Sequence, residues 1–530
     1  MSRMERAIKF FRDEGIAVSE PGSPEYEKAI ATPNLLFRFS RPDCAVHPKT
    51  TYKVQTIIIE ARDSKLKVTV KGNGYSYADH SSASSGISLD LRSMRNVELD
   101  MESRTVRAEA GCQWGYVYGT LVNGRHKGYM INGDRCPTVG VSGFTLGAGL
   151  GPFTRSFGMG CGALTEATLV TTEGSVVTVS EADDPTTNKG RLFWALCGAG
   201  GGNFGIVVQT KLKVQKLRNR HGLVVAGRYD WYPVDGFTDG VVSTMVDLYT
   251  AKWPDKITMD TTWVCDPQKK HTGVRFNVSF DGSKPEYDRL IDRHIKRPEL
   301  ACALKRRVLA EKSTRYLSET LAAQWLDETG RVYPTNKTYE LFSPFAFSNG
   351  DKGVLQEAAA ALQQLAGEFQ ADFGSENVNF RATWVHSGGA AADTAFFWRQ
   401  AVFHMCMAVE WADKWMEDDM RLFLAKAKRL LRPLSLNGEA AFVNFPARDL
   451  PTKSHERAYY GDNKDELRRV KEIWDRSEFF SWDQGVWLPG DDEGDEADKG
   501  GKAGSIVGRQ WDVDTYDIVG DLEELAGLGF

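Results

Sequence analysis

The segment Gly133–Gly162, GDRCPTVGVSGFTLGAGLGPFTRSFGMGCG, constrains this chain more than any other. Glycine recurs there so densely that a regular helix or strand would carry a heavy entropic cost, so the segment is expected to be a cradle or a stack of loops. A second cluster, Gly198–Gly205 (GAGGGNFG), runs into the strand-like IVVQTKLKV. Glycine-rich turns after strands let several backbone N–H groups converge on an anion, and two of them suggest a dinucleotide. Neither fits GxGxxG opening a helix or GxxxxGK[ST], which disfavours the common nucleotide folds.

Around these clusters the hydrophobic period alternates. Thr51–Arg62 places Val54, Ile57, Ile58 and Ala61 near one helical face. The period then becomes two: Lys67–Lys71 reads as a half-buried strand entering the turn Gly72-Asn73-Gly74, and strands follow at Ile87–Leu91 and Thr105–Ala110. A helix is expected over Gln113–Leu121, and Leu164–Ser180 reads as a hairpin turning at Glu173-Gly174. After about Val214 come longer aromatic strands (Val224–Tyr232, Thr258–Val264, Val274–Phe280) and longer helices (Gln356–Ala366, Trp411–Leu430), the texture of a second domain. The fold class is therefore α+β, and GDDEGDEADKGGKAG after Pro489 reads as a solvated acidic linker.

Composition narrows the function. Of 530 residues 66 are Lys or Arg and 71 are Asp or Glu, a formal net charge of −5 with both signs mixed along the chain, which argues against a nucleic-acid partner. No apolar run reaches the roughly 18 residues of a membrane span, and MSRMERAIKFFRDEG lacks the apolar core of a secretory signal, so a cytoplasmic location is expected. The eight cysteines show no CxxC pairs or metal spacing, so neither a metal site nor a disulfide framework is expected.

The order of the motifs carries a resemblance. RPDCAVHPKTTYKVQTIIIEARDSKLKVTVKGNGYSY, SLDLRSM, VRAEAG, GDRCPTVGVSGFTLGAGLG, LFWALCGAGGGNFGIV and YYGDNKDELRRVKEIWD follow one another as in the berberine bridge enzyme-like flavin oxidases of the vanillyl alcohol oxidase and p-cresol methylhydroxylase (PCMH) superfamily, which the chain closely resembles. The resemblance implies a PCMH-type FAD-binding domain over 1–215, completed by 441–490, and a central substrate domain over 216–440 built on an antiparallel sheet, with 491–530 as linker and tail. It implies FAD lying on the turn Gly72, Asn73, Gly74, Tyr75, Ser76 and Tyr77 and on the cradle from Val139 to Gly151, with Gly140, Ser142, Gly143, Gly147, Gly149 and Gly151. Asn203, Gly205, Ile206 and Val207 lie along the cofactor, and Asn444 beside the flavin.

In this resemblance Cys136, in GxCPTVG, implies a 6-S-cysteinyl bond to FAD, and Val139 marks the gate for dioxygen, which favours an oxidase releasing hydrogen peroxide. Cys112, Cys161 and Cys197 read as core residues. Tyr75 stands where bicovalent members carry a histidine bonded to the flavin, so Tyr75 either packs on the flavin edge or bonds it in the histidine's place. The family's YxNY base motif is here Phe442-Val443-Asn444-Phe445, and Phe445 cannot take a proton. The Arg399-to-Trp411 region resembles the family's strand that points a glutamate or similar group towards the flavin, and His404 or Met405 falls at that place depending on a one-residue gap. Strand alternation puts Val402, His404, Cys406 and Ala408 on one face, and His404 is the candidate base, with Tyr333, Tyr339 and Tyr459 in reserve. The implied activity is oxidation of a small, largely apolar organic substrate by FAD and dioxygen, either alcohol oxidation or oxidative cyclisation of a specialised metabolite. The alternatives are a carbohydrate oxidase of the same family and a non-redox cyclase or binding protein on the flavin fold.

Overall fold

The computed structural model describes residues 1–491 apart from 33, 235, 270, 327–337, 390–393, 449 and 451–453; the expected acidic linker and tail beyond 491, and Tyr333, lie outside the described residues. The change of hydrophobic period near residue 63 is realised as a crossover. Strands β1 (Ala17–Ser19), β2 (Cys44–His47), β3 (Val68–Lys71) and β4 (Ile87–Asp90) form a sheet of order β1-β2-β4-β3, in which β4 runs parallel to β2 and β3. β2 and β3 run in the same direction on either side of β4, and the helix Thr51–Asp63 supplies the long connection between them. Thr50 caps this helix by accepting from the Lys53 N–H, and Val54, Ile57, Ile58 and Ala61 are buried against Cys44, Val46, Ile87 and Leu89.

A second, wholly antiparallel sheet holds β5 (Val97–Asp100), β6 (Thr105–Glu109), β7 (Leu164–Val170), β8 (Val176–Ser180) and β9 (Ile206–Lys213) in the order β5-β6-β9-β7-β8. The expected hairpin is β7–β8. Its turn requires Gly174, where φ is +76° and an added Cβ would lie 2.5 Å from Ile59 of the crossover helix.

The glycine-rich segment departs from expectation. It contains a short helix, Val141–Leu146, another at Thr154–Phe157, and a 3-10 turn at Gly160–Ala163. Burial of Val141, Phe144 and Leu146 offsets the entropic cost of the glycines around them.

The third sheet comprises β10 (Leu223–Trp231), β11 (Ile257–Asp266), β12 (His271–Phe280), β13 (Leu309–Lys312), β14 (Tyr339–Phe347), β15 (Val378–His386) and β16 (Phe403–Trp411). The order is β13-β10-β12-β11-β15-β16-β14, antiparallel throughout. One face, with Trp263, Phe276, Phe380, Trp384, Met405 and Met407, packs on the helices Asp239–Thr250, Lys352–Asp372 and Glu417–Leu431. The alternate positions, among them Asp260, Thr262, Arg275, Asn277, Arg381, Thr383, His404 and Cys406, point the other way. The helix expected from Trp411 begins at Glu417 instead. Trp411 ends β16 opposite Tyr339, with the two rings stacked at 5.4 Å, a pairing across 72 residues that helical periodicity does not register.

The segment after residue 440 returns to the second glycine cluster. Tyr460 Oη donates to the Ala199 carbonyl (3.0 Å), the buried Lys471 Nζ donates to the Asn203 carbonyl (2.7 Å), and the Val486 N–H donates to Asn203 Oδ1 (3.0 Å). The N-terminal part also reaches the third sheet, where Asn34 Nδ2 donates to the Glu340 carbonyl (2.8 Å). No helix among the described residues is long and apolar enough to cross a membrane.

Candidate active site

Two loops interlock to make the cradle. Asn73, in the turn after β3, donates through Nδ2 to the carbonyls of Gly111 (3.2 Å) and Cys112 (3.3 Å), and its side chain fills the space a Cβ on Gly140 would need, 2.9 Å away. Gly74 has φ +77° and lies under Lys71, whose buried ammonium donates to the carbonyls of Ala29 and Ala31. Burial, helped by Arg92, lowers the Lys71 pKa to about 8. Ser76 Oγ accepts from the His80 N–H, and Ser142 Oγ donates to the Ala110 carbonyl. Gly147 makes room for Asn444: a Cβ there would come within 2.0 Å of Asn444 Oδ1, while Asn444 Nδ2 donates to the Phe144 carbonyl (2.9 Å). Gly205 holds φ at +153° beside Leu169, Asn203 pins the returning segment, and Ile206 and Val207 are buried at the start of β9.

Cys136 sits between these loops. Its N–H donates to Asp134 Oδ1 (2.7 Å), and its sulfur lies 3.0 Å from Thr138 Oγ1, which is in turn 2.5 Å from the Tyr75 hydroxyl. Beyond the sulfur opens a cavity lined on one side by Tyr77, Cys136, Val139 and Phe445 and on the other by the third sheet, from which Phe342 also projects. The Tyr77 ring stacks on Phe342 (4.1 Å, 18°) and stands 5.8 Å from Phe445.

The sheet side is polar. Thr262 and Thr383 share a hydrogen bond (3.1 Å), Arg275 Nε pairs with Asp230 (2.9 Å), and Arg381 bridges Glu340 (2.6 Å) and Glu410 (3.2 Å). Burial would push the Asp230 carboxyl up, but Arg228 and Arg275 hold it below the usual range. Arg135 forms a buried ion pair with Asp260, and Asp260 also accepts from the His386 N–H (2.9 Å). Burial raises the Asp260 pKa in spite of that guanidinium. The buried Asn277 Oδ1, on the cavity wall, has no hydrogen-bond partner among the described residues.

His404 does not line this cavity. It faces a smaller neighbouring one with Cys161, Ser387 and Arg399. Its Nδ1 is 2.8 Å from Ser387 Oγ, its ring is 5.1 Å from Phe442, and its Nε2 has no hydrogen-bond partner among the described residues. Burial, with Arg135 adding to it, lowers its pKa to about 3. Tyr339 accepts from Arg38 (2.6 Å) on the helix side of the sheet, and Tyr459 donates to Gln484 (2.9 Å); neither lines the Cys136 cavity. Burial pushes the thiols of Cys112 and Cys161 up to about 12 and raises that of Cys197 well above its ordinary value, as inert core residues. Thr138, Asp134, Asn277, Arg275 and Arg381 were not foreseen. The signal was available for the strand residues, since VRFNVSF and NFRATWV set polar side chains at every second place between apolar ones.

The cradle fits a long flat group. At Gly72, Gly143 and Gly201, φ lies outside the left-handed region and an added Cβ would meet nothing closer than 3.6 Å. Neither strain nor the protein's own packing requires glycine there, and the space beside these backbones is open to a flat group laid along them.

Comparison with known proteins agrees with that geometry. The FAD binding domain family matches residues 42–180, and the "berberine and berberine like" family matches residues 441–487. The FAD-linked oxidoreductase YgaK of Bacillus subtilis is 24% identical over 482 residues, covering 87% of this chain and 95% of its own length. The xylooligosaccharide oxidase of Thermothelomyces thermophilus is 33% identical over 174 residues, 32% of this chain and 33% of that one. The structure of BBE-like 1 from Physcomitrella patens superposes with a TM-score of 0.74 at 21% identity, over 91% of this chain and 99% of its own. With an FAD binding domain over residues 42–180 and a berberine-like segment over 441–487, the chain is similar along most of its length to FAD-linked oxidoreductases and shares the fold of the berberine bridge enzyme-like proteins.

Proposed function

We propose that this chain is an oxidase that takes hydride from a carbon bearing a hydroxyl group in a small organic substrate and passes the electrons to dioxygen, giving hydrogen peroxide. The observation that carries the proposal is the single cavity in which Cys136, Val139 and Tyr77 face the polar side of the third sheet. FAD held along Gly72–Tyr77 and Val139–Gly151, beside Asn444 and tethered through the Cys136 sulfur, supplies the hydride acceptor and the route of two electrons to dioxygen. Val139, three residues from Cys136 and on the same cavity wall, serves as the gate for dioxygen.

The substrate hydroxyl must lose its proton as hydride departs, and the group best placed to hold that proton is the Tyr77 phenol. It lines the cavity beside Phe445, where the family's tyrosine is missing. His404 is worse placed and chemically weaker, because an imidazole with a pKa of about 3 takes up a proton poorly at neutral pH. Arg275 and Arg381, each held in place by carboxylates, present N–H donors on the opposite wall to a substrate oxygen.

The substrate is a specialised-metabolite alcohol on the first reading and a carbohydrate on the second. The polar wall favours the second: Thr262, Thr383 and the unpartnered Asn277 carbonyl offer hydrogen bonds that an apolar substrate leaves unused. Anaerobic mixing of the purified protein with alcohols and oligosaccharides tests both. A substrate that bleaches the flavin absorbance, and then yields peroxide on admission of air, supports the oxidase. Turnover without bleaching, to a product of unchanged mass, refutes it in favour of the non-redox alternative.

A further inference from the structure

We propose that Tyr75 is a positioning residue for Cys136, acting through the hydroxyl of Thr138. The proposal rests on the assignment of Cys136 as the covalent attachment point. Three groups stand in line: the Tyr75 hydroxyl 2.5 Å from Thr138 Oγ1, and Thr138 Oγ1 3.0 Å from the Cys136 sulfur. Thr138 is 9% exposed and Cys136 3%, so water does not substitute freely for either contact.

Either partner can donate in both contacts, and the direction is set when the sulfur is a thiolate, which can only accept: Thr138 Oγ1 then donates to it and is free to accept from the Tyr75 hydroxyl. Aimed at the sulfur, the Thr138 proton supports the thiolate, which is the nucleophilic form. The backbone of Cys136 is itself held, its N–H donating to Asp134 Oδ1 at 2.7 Å. Tyr75 thus replaces the family's histidine with a group whose reach is toward the other attachment residue. Making the thioether removes the thiol proton and the ring hydrogen, and two electrons pass to dioxygen as the oxidant. Tyr75 and Thr138 supply orientation and neither gains nor loses electrons.

The experiment uses full-length wild type, Tyr75→Phe, Thr138→Val, Thr138→Ser and Cys136→Ala proteins. Each is precipitated in acid, and mass spectrometry gives the fraction of the Cys136 peptide that carries flavin and its growth on incubation with added FAD. Thermal unfolding of the same samples reports the fold. The expected result is linkage in the wild type at Cys136, slowed about tenfold in Tyr75→Phe and Thr138→Val, as for loss of a hydrogen bond to a charged atom. Thr138→Ser, which keeps the hydroxyl, restores the wild-type rate, and the unfolding midpoints stay together. Wild-type linkage rates in Tyr75→Phe overturn the positioning role alone, as does flavin found on the Tyr75 peptide. Slowed linkage that tracks a lowered unfolding midpoint, without rescue by serine, also overturns it. Wild-type protein without flavin on Cys136 overturns the attachment assignment itself, and the inference falls with it.

Discussion

Replacing His404 by asparagine tests whether this histidine is held neutral in the fold. Its ring is 1% exposed, and burial with the nearby Arg135 lowers its pKa to about 3, against about 6.5 in an unfolded chain. The proton therefore prefers the unfolded chain. The stability His404 allows is complete above pH 6.5 and is lost as the pH falls from 6.5 toward 3. Each pH unit in that window is worth about 1.4 kcal/mol, so by pH 4.5 the wild type loses about 3 kcal/mol through this one group. His386, lowered well below its usual value by burial, adds a loss of the same sign, while Asp79, raised to about 6 by burial, sheds its penalty as it protonates. Both are present in wild type and variant, so they cancel in the difference. Asparagine keeps a polar atom near the Ser387 hydroxyl and cannot titrate. Urea unfolding followed by tryptophan fluorescence, at intervals from pH 7.5 to 4.5, should show the stability gap between the two proteins shrinking by about 3 kcal/mol over the acid range. Parallel profiles would mean that His404 takes up its proton as readily in the fold as in the unfolded chain, and the argument against it as the base would collapse.

Other consequences are as direct. Gly147→Ala drives a Cβ to within 2.0 Å of Asn444 Oδ1, so it should lower flavin content on purification and cost about 1–3 kcal/mol in urea unfolding. Asp260→Ala strands Arg135 without its buried partner and should cost about 3–5 kcal/mol by the same assay, most of it recovered when Arg135→Met is paired with Asp260→Leu. If Tyr77 holds the substrate proton, Tyr77→Phe should slow flavin reduction in stopped flow by about 10²–10⁴-fold with a substrate that bleaches the wild type. Phe445→Tyr in that background should return part of the loss, and an unchanged rate in Tyr77→Phe eliminates the residue.

Local features of the fold were legible because the sequence carries them within a few residues. The helix Thr51–Asp63 and the hairpin at Gly174 follow from spacing and turn chemistry, and the shared face of His404, Cys406 and Ala408 follows from strand alternation. Alternation does not say how far along a strand a side chain falls from a given loop. That distance puts Cys406 in the Cys136 cavity and His404, one pleat away, in the next. The link from Glu340 through Arg381 to Glu410 depends on the register of three strands brought together from distant parts of the chain, and no local pattern encodes it. The Thr138 bridge was missed for a different reason. Thr138 sits inside the motif that singled out Cys136 and Val139, and only the meeting of two loops shows what its hydroxyl touches.

The two departures from the family pattern, at residues 75 and 445, weigh differently once they are seen together. Read singly, a lost histidine and a lost tyrosine favour a protein that has given up redox work. In the fold, the hydroxyl of Tyr75 is engaged with the Cys136 loop, and the phenol missing at Phe445 is matched by Tyr77 across a gap of 5.8 Å. Both replacements come from one short turn, Gly72–Tyr77, held by the hydrogen bonds of Asn73 to the chain after β6. A turn fixed in that way supplies two hydroxyls at set positions without rearranging the sheet that faces them. Loss of function at two independent sites would have no reason to leave tyrosines two residues apart, one reaching the attachment loop and the other lining the cavity. A redistribution of the same chemistry onto a single rigid turn accounts for both, and it predicts that the effects of Tyr75→Phe on flavin linkage and of Tyr77→Phe on flavin reduction are separable in the double variant.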